Sequence, residues 1–465
     1  MFSISLFNKL GTNKPITFLS RACTTSKNPF TRAWDIISND IRKKKIEYYP
    51  EHTDVVIIGG GFIGSAVAYA LKLRAGPGLS VVVLEKDFIV ICSRPPLNQT
   101  NLILGTLSQH FSLPENIYLA QYSAEFFRNI KQHLHSDVDI QYHPYGRLIL
   151  ASEKYAEQLE KNINIQREHG MKNELISVEK IQKTYPWINT SGIKLGCIST
   201  ESEGVFNANV YLKAMIEKSK ELGANYVQGE VIGFTSELQQ DALIEGVEPG
   251  SYEKINKLCY KTSDGENKIL HFAACVVAAG DQSGHIAKMA KIGVADGLLT
   301  VGLPIGTRDY NIYSVDYNPK DLPIGLNTPF IMDTTGLWLR RGHLGNTLVF
   351  GHIPSIEKPF EDELNSLVQP SLLQRIPGCK DINHVATETY DCNTYDDTGI
   401  IGPHAYHGSL IFATGFGPLG CQHAPGIGRA ISEFIIDGQY VSIDLTRFGF
   451  DRFLTDYPLV DFNVY

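Results

Sequence analysis

One stretch, DVVIIGGGFIGSAVAYAL from Asp54 to Leu71, constrains this chain more than any other. Val55, Val56, Ile57 and Ile58 are four β-branched residues in a row, the pattern of a parallel strand buried on both faces. Gly59, Gly61 and Gly64 follow in G-x-G-x-x-G spacing. The first glycine permits a tight turn, the second lets a pyrophosphate approach the backbone, and the third lets the next helix pack on the sheet. Ile63, Ala66, Val67, Ala70 and Leu71 then recur at helical spacing and form one apolar stripe. A second apolar run, Val81–Leu84, ends in Glu85, placed to take a ribose hydroxyl. Strand, turn, helix, strand and terminal acid in that order predict a Rossmann-like dinucleotide site.

FAD and NAD both use such a turn, and the far end of the chain separates them. A flavin ring reaches well beyond the pyrophosphate and needs a second protein surface. LIFATGFGPLGCQHAPGIGRAISEFI offers one, with a short strand at Leu410–Ala413 and a permissive loop holding Gly415, Gly417 and Gly420. A helix is predicted to begin near Pro425, because proline suits the first helical position. Its N-terminal dipole would favour the anionic reduced flavin. QGEVIGF (Gln228–Phe234) and CVVAAGDQSG (Cys275–Gly284) read as edges of the same nucleotide domain.

Composition narrows the partners. The 465 residues allow two or three domains, and a formal net charge of -8 argues against nucleic acid as the main partner. No run of 18 apolar residues appears, so no transmembrane helix is expected, while a peripheral membrane contact stays open. The eight cysteines hold no C-x-x-C pair, which predicts free thiols in a reducing compartment and no metal site. Residues 1–34 carry Lys9, Lys14, Arg21, Lys27 and Arg32 among serines and threonines and no acid, which reads as a mitochondrial presequence.

The layout resembles the D-amino-acid-oxidase-like, or glycine/sarcosine-oxidase, superfamily of flavoproteins. Longer strings carry the resemblance further: FSLPENI (Phe111–Ile117), YPWINTSG (Tyr185–Gly192), LWLRRGHLG (Leu337–Gly345), YDCNTYDDTGIIGPH (Tyr390–His404) and HAPGIGRAI (His423–Ile431). They are similar to a mitochondrial branch of that superfamily whose members serve the assembly of respiratory complex I. The resemblance implies an α/β fold: a Rossmann-like FAD-binding domain plus an α+β substrate domain with a mixed or antiparallel sheet. Residues 51–135, 220–300 and 386–445 would form the FAD-binding domain, 136–219 and 301–385 the substrate domain, and 446–465 a tail. Gly59, Gly61 and Gly64 would hold the FAD pyrophosphate and Glu85 the adenosine ribose. Val231 would meet adenine, Ala279 and Gly280 would pass close to the nucleotide, and Gly415, Gly417 and Gly420 would cover the flavin. The protein would sit in the mitochondrial matrix at the inner membrane, with complex I subunits or assembly intermediates as partners.

Three departures from the family pattern bear on chemistry. The stretch after Glu85, FIVICSRPPLNQTNLILGTLSQ, is longer and more apolar than the usual Ser/Thr- and Gly-rich loop, with Thr100 and Gly105 as its remnants. Pro418 removes a backbone N–H from the C-terminal loop. Gln422 stands where the sarcosine-oxidase branch carries a lysine. The alternative reading is a working oxidase or dehydrogenase of sarcosine-like amines or small amino acids. For that chemistry PFIMDTTGLWLRR and TLVFGHI predict antiparallel strands joined through Asp333-Thr334-Thr335-Gly336. Arg340 and Arg341 then point to opposite faces, and Arg340 is the candidate to hold a substrate carboxylate. Tyr310, Tyr313 and Tyr390 are further candidates for the cavity wall, although sheet packing explains them as well. His343 reads as a turn histidine. Cys392 lies near where some relatives attach flavin covalently, but out of register, so FAD is expected to be non-covalent.

Overall fold

The computed structural model describes residues 49–87, 105–199, 203–342, 346–353, 363–379 and 385–462. The leader at 1–34, Thr100 and His343 therefore lie outside the described residues. Residues 50–465 form one compact unit.

Two large sheets organise that unit. The first holds β1 (His52–Ile58), β2 (Val81–Glu85), β8 (Asn225–Gln239), β9 (Tyr252–Thr262), β10 (Asn267–Val277), β16 (Ile400–Pro403) and β17 (Leu410–Thr414). Its centre is parallel: β1 pairs with β2 and β10, and β10 with β17. Val55, Val56, Ile57 and Ile58 are all buried, as a strand covered on both faces requires. The second sheet is largely antiparallel and holds β4 (Arg147–Ala151), β5 (Glu174–Ile176), β6 (Leu195–Ser199), β11 (Ile305–Asp316), β12 (Phe330–Met332), β13 (Leu337–Arg341), β14 (Thr347–His352) and β15 (Val385–Thr394). A short pair, β3 (Thr106–Leu107) with β7 (Gly204–Val205), completes the strands among the described residues.

The helices that matter for the site are α1 (Phe62–Ala75), α2 (Pro114–Arg128), α3 (Glu153–Glu168), α4 (Val178–Thr184), α5 (Ala208–Glu221), α6 (Gln369–Arg375) and α7 (Gly420–Asp437). α7 starts five residues earlier than the proline suggested, with Pro425 inside it. The Gly417–Leu419 turn feeds straight into the helix, and Pro425 so near the start costs only the bond to the Cys421 carbonyl. α7 crosses α1 and α2 closely because it presents glycines there. A Cβ on Gly428 would lie 2.5 Å from the Ala66 carbonyl oxygen, and one on Gly426 would lie 2.7 Å from the Leu119 side chain. Ile427, Ala430 and Ile431 join Val67, Leu71 and the strand valines in the largest core cluster.

Three domain boundaries move. β15 pairs with β11 from Ile305↔Thr394 to Ser314↔Val385, so residues 386–394 belong to the second sheet, not to the nucleotide sheet. α5 lies on α1, where Ser219 Oγ donates to the Ser65 carbonyl at 3.3 Å, so most of 208–219 packs with the nucleotide layer. Residues 446–462 are no loose tail: Phe448 and Leu459 sit in the core, and Arg452 makes a buried pair with Asp396 at 2.9 Å. The turn after β12 is as expected. Asp333 accepts from Thr335 Oγ1 at 2.7 Å, Gly336 takes a positive φ, and Arg375 of α6 closes on Asp333 at 2.7 Å.

Buried histidines give this fold an acid limit. Burial holds His404 and His407 down at about 4 and His423 at about 3, against an ordinary 6.5. His404 Nδ1 accepts the backbone N–H groups of Tyr406 and His407, and His407 Nε2 donates to the Ala290 carbonyl. Burial therefore keeps both rings neutral in the fold at pH values above about 4. The unfolded chain binds the extra protons, so this stability is present above pH 6.5 and is lost as pH falls from 6.5 through about 4. Three protons correspond to about 4 kcal/mol per pH unit at the steepest point. Denaturant unfolding at stepped pH should show that slope, and His423→Leu should remove about one proton from it.

Candidate functional site

Sequence-distant segments meet along one groove. A cavity of about 450 Å³ is lined by Gly59, Gly61, Glu85, Val231, Ala279, Gly280, Gly415, Gly417 and Gly420. Nine of the ten cofactor candidates therefore face one space, and Gly64 does not.

The three glycines of the turn have separate reasons. Gly59 has φ +102°, and a Cβ there would lie 2.3 Å from the Ala278 carbonyl oxygen. Gly64 admits the close approach of α1, since its Cβ would fall 1.9 Å from the Gly59 carbonyl oxygen. A Cβ on Gly61 would meet no protein atom within 4 Å, so its open side faces the groove. That is the arrangement a pyrophosphate needs at the start of a helix. The first turn of α1 carries no acid, so its amide dipole is not neutralised by the chain itself. Glu85 fixes the turn from below: Gly60 N donates to its Oε2 at 2.7 Å, and Asp87 N to its Oε1 at 2.9 Å. Each carboxylate oxygen keeps a second lone pair for a ribose hydroxyl.

At the other end, Gly415 and Gly417 both take positive φ, and the first turn of α7 carries no acid. Cys392 also lines the groove. On the expectation that FAD is held non-covalently, flavin should leave with the supernatant on acid precipitation, and Cys392→Ser should retain its flavin in native buffer. Flavin that stays with the pellet would count against this.

A second cavity, of about 470 Å³, lies on the other side of the Gly415–Gly420 loop. Phe416 lines both spaces. Its roof is one face of the second sheet, through Arg147 and Ile149, Phe330 and Met332, and Trp338 and Arg340. The opposite face, with Leu148, Ile331, Leu339 and Phe350, packs in the core over α4 and α6. Arg340 is 3 % exposed and burial lowers it to about 10, so it stays a cation at neutral pH. Arg341, one residue on, is half-exposed and does not line the cavity. Tyr313 lies in the core on the far face, so it is not a wall residue. Tyr310 and Tyr390 fall on described strands, but their side chains lie outside the described residues.

Sequence reasoning missed several wall residues. His110 is buried, and its Nε2 is 3.3 Å from the wholly buried Glu203 carboxylate. Leu159, Asn162 and Gln166 reach the cavity from α3. Their i, i+3, i+7 spacing was the available signal. Gln422 explains the missing lysine: its Oε1 accepts from Ser108 N at 2.9 Å and its Nε2 donates to Ser108 O at 3.1 Å. An amide can make both bonds; an ammonium can make only the second. Gly105 packs under the Phe206 carbonyl and lines neither cavity.

The family profile described as FAD dependent oxidoreductase (DAO) matches residues 54–434. The chain belongs to the FAD dependent oxidoreductase family. FAD is accordingly the cofactor of this chain. The chain is 36% identical to the FAD-dependent oxidoreductase domain-containing protein 1 homolog of Drosophila melanogaster, over 96% of this chain and 88% of that one. It is 35% identical to FAD-dependent oxidoreductase domain-containing protein 1 of Mus musculus, over 100% of both. Among solved structures, L-proline dehydrogenase from P. horikoshii superposes with a TM-score of 0.68 at 21% identity, covering 88% of this chain and 99% of that one.

Proposed function

We propose that this flavin oxidoreductase oxidises a small amine or amino acid whose carboxylate is held by Arg340. The observation that carries this reading is the position of Arg340: a buried cation in the roof of a cavity that adjoins the flavin groove at Phe416. The planar guanidinium fork matches a carboxylate through two parallel charge-assisted bonds, which fixes the orientation of the acid it holds. Bound FAD supplies the hydride acceptor for the carbon next to the amine. The chain's own groups do the rest. Arg340 orients the carboxylate, and Ile149, Ile312, Phe330, Met332 and Trp338 exclude water. His110, backed by Glu203, is the wall group that can accept the ammonium proton, leaving the neutral amine that hydride loss requires.

A second reading is supported by Pro418 and Gln422, which replace donors common in the oxidase relatives. In it the FAD-bound protein serves the assembly of respiratory complex I through contacts with its subunits or intermediates, without turnover. Under both readings we place the protein in the mitochondrial matrix at the inner membrane, supported by the basic, acid-free leader.

Anaerobic addition of sarcosine, other N-methyl amino acids and small amino acids to the purified protein separates the two. Bleaching of the flavin is expected. Bound flavin that no amine in a broad panel reduces would favour the assembly role alone.

A further inference from the structure

The roof of the cavity carries two arginines, and their register is informative. β12 pairs with β4 in parallel, with Phe330 opposite Arg147. β12 pairs with β13 antiparallel, with Ile331 opposite Leu339 and Met332 opposite Trp338. One step along, Phe330 stands opposite Arg340. Arg147, Phe330 and Arg340 therefore form one row across three neighbouring strands, on the face that lines the cavity. Strand spacing puts the two arginine backbones roughly 10 Å apart.

Arg147 is held in place. Its guanidinium lies 4.4 Å from the centre of the Phe330 ring, and its Nη1 donates to Ser108 Oγ, on the segment that Gln422 clamps. Trp338 also stacks with the Phe330 ring, with ring centres 5.8 Å apart. Among the described residues, three carboxylates of the wall have partners of their own. Asp397 pairs with Arg308 at 2.6 Å, Asp396 with Arg452 at 2.9 Å, and Asp461 accepts from Ser112 and Asn116 at 2.7–2.8 Å. A cavity with two roof cations astride an aromatic ring suits a ligand with negative charge at both ends.

We propose that the substrate is dianionic: an amine or amino acid bearing two carboxylates, one on Arg340 and the second on Arg147. This rests on the amine-oxidation reading and adds a second anion subsite to it.

The test is calorimetric titration of the FAD-loaded full chain with glutarate and with butyrate, which differ by one carboxylate and are not amines. Glutarate should bind at least about tenfold more tightly than butyrate, the value of one further charge-assisted pair. Arg147→Gln should bring the two to within about twofold, and Arg147→Lys, which keeps charge without the fork, should leave an intermediate ratio. Flavin content is measured for each variant, and the lysine variant decides the matter if the glutamine variant loses flavin. Equal binding of both acids by the unaltered protein, or a ratio indifferent to Arg147, overturns the second subsite. If butyrate binding then still weakens in Arg340→Gln, the amine-oxidation reading survives. If neither acid binds, the Arg340 subsite fails and both fall together.

Discussion

Gly61→Val should yield a folded protein without flavin. The Cβ at Gly61 meets no protein atom within 4 Å, so the fold has room for the side chain. That room is where we place the pyrophosphate, at the first turn of α1. A valine there closes the approach, so flavin-to-protein ratio should drop from near one to near zero. Far-UV circular dichroism should keep its shape, apart from the lower midpoint that loss of a tight ligand brings. Gly64→Ala is the contrasting variant. Its Cβ would fall 1.9 Å from the Gly59 carbonyl oxygen, so α1 must move off β1. It should lower stability by a few kcal/mol whether or not FAD is supplied, as overpacking against backbone does. Full flavin occupancy in Gly61→Val would contradict the placement of the groove.

Arg340→Gln should raise the amine concentration for half-maximal flavin reduction by about 10²–10³-fold, the loss of a buried bidentate ion pair of roughly 3–4 kcal/mol. The visible spectrum of bound flavin should persist, because Arg340 lines the second cavity and not the groove. Arg340→Lys should recover part of the loss, since it keeps charge and gives up the two-pronged fork. Arg341→Gln is the control, one residue away on the other face. A purely structural Arg340 would show a different pattern: a lowered thermal midpoint with the amine dependence unchanged.

Much of the nucleotide layer was legible because its signals are local. Strand, turn and helix from Asp54 to Leu71 sit within one covalent stretch, and each glycine answers a backbone demand that sequence spacing alone encodes. The Gly415–Gly420 loop was legible for the same reason. What failed was what depends on packing between distant segments. β15 follows β11 into the second sheet because ten residue pairs match in register, a fact that composition does not carry. α7 runs through Pro425 because Cys421 and Ala424, ahead of it, are buried against the α1 side of the core. His110 and Arg147 belong to the cavity only because the β3 segment folds beside β4. Ser108 links the two, bonding the Arg147 guanidinium on one side and the Gln422 amide on the other. No spacing in the sequence joins those three positions.

The two cavities meet at the Phe416 loop, which would set a carboxylate held by Arg340 against the flavin. The direct measurement is the visible difference spectrum of the FAD-loaded protein during titration with butyrate. A saturable shift of the flavin bands, lost in Arg340→Gln, is the predicted result. Butyrate that binds by calorimetry yet leaves the flavin bands unmoved would place Arg340 and its ligand away from the flavin and contradict the account.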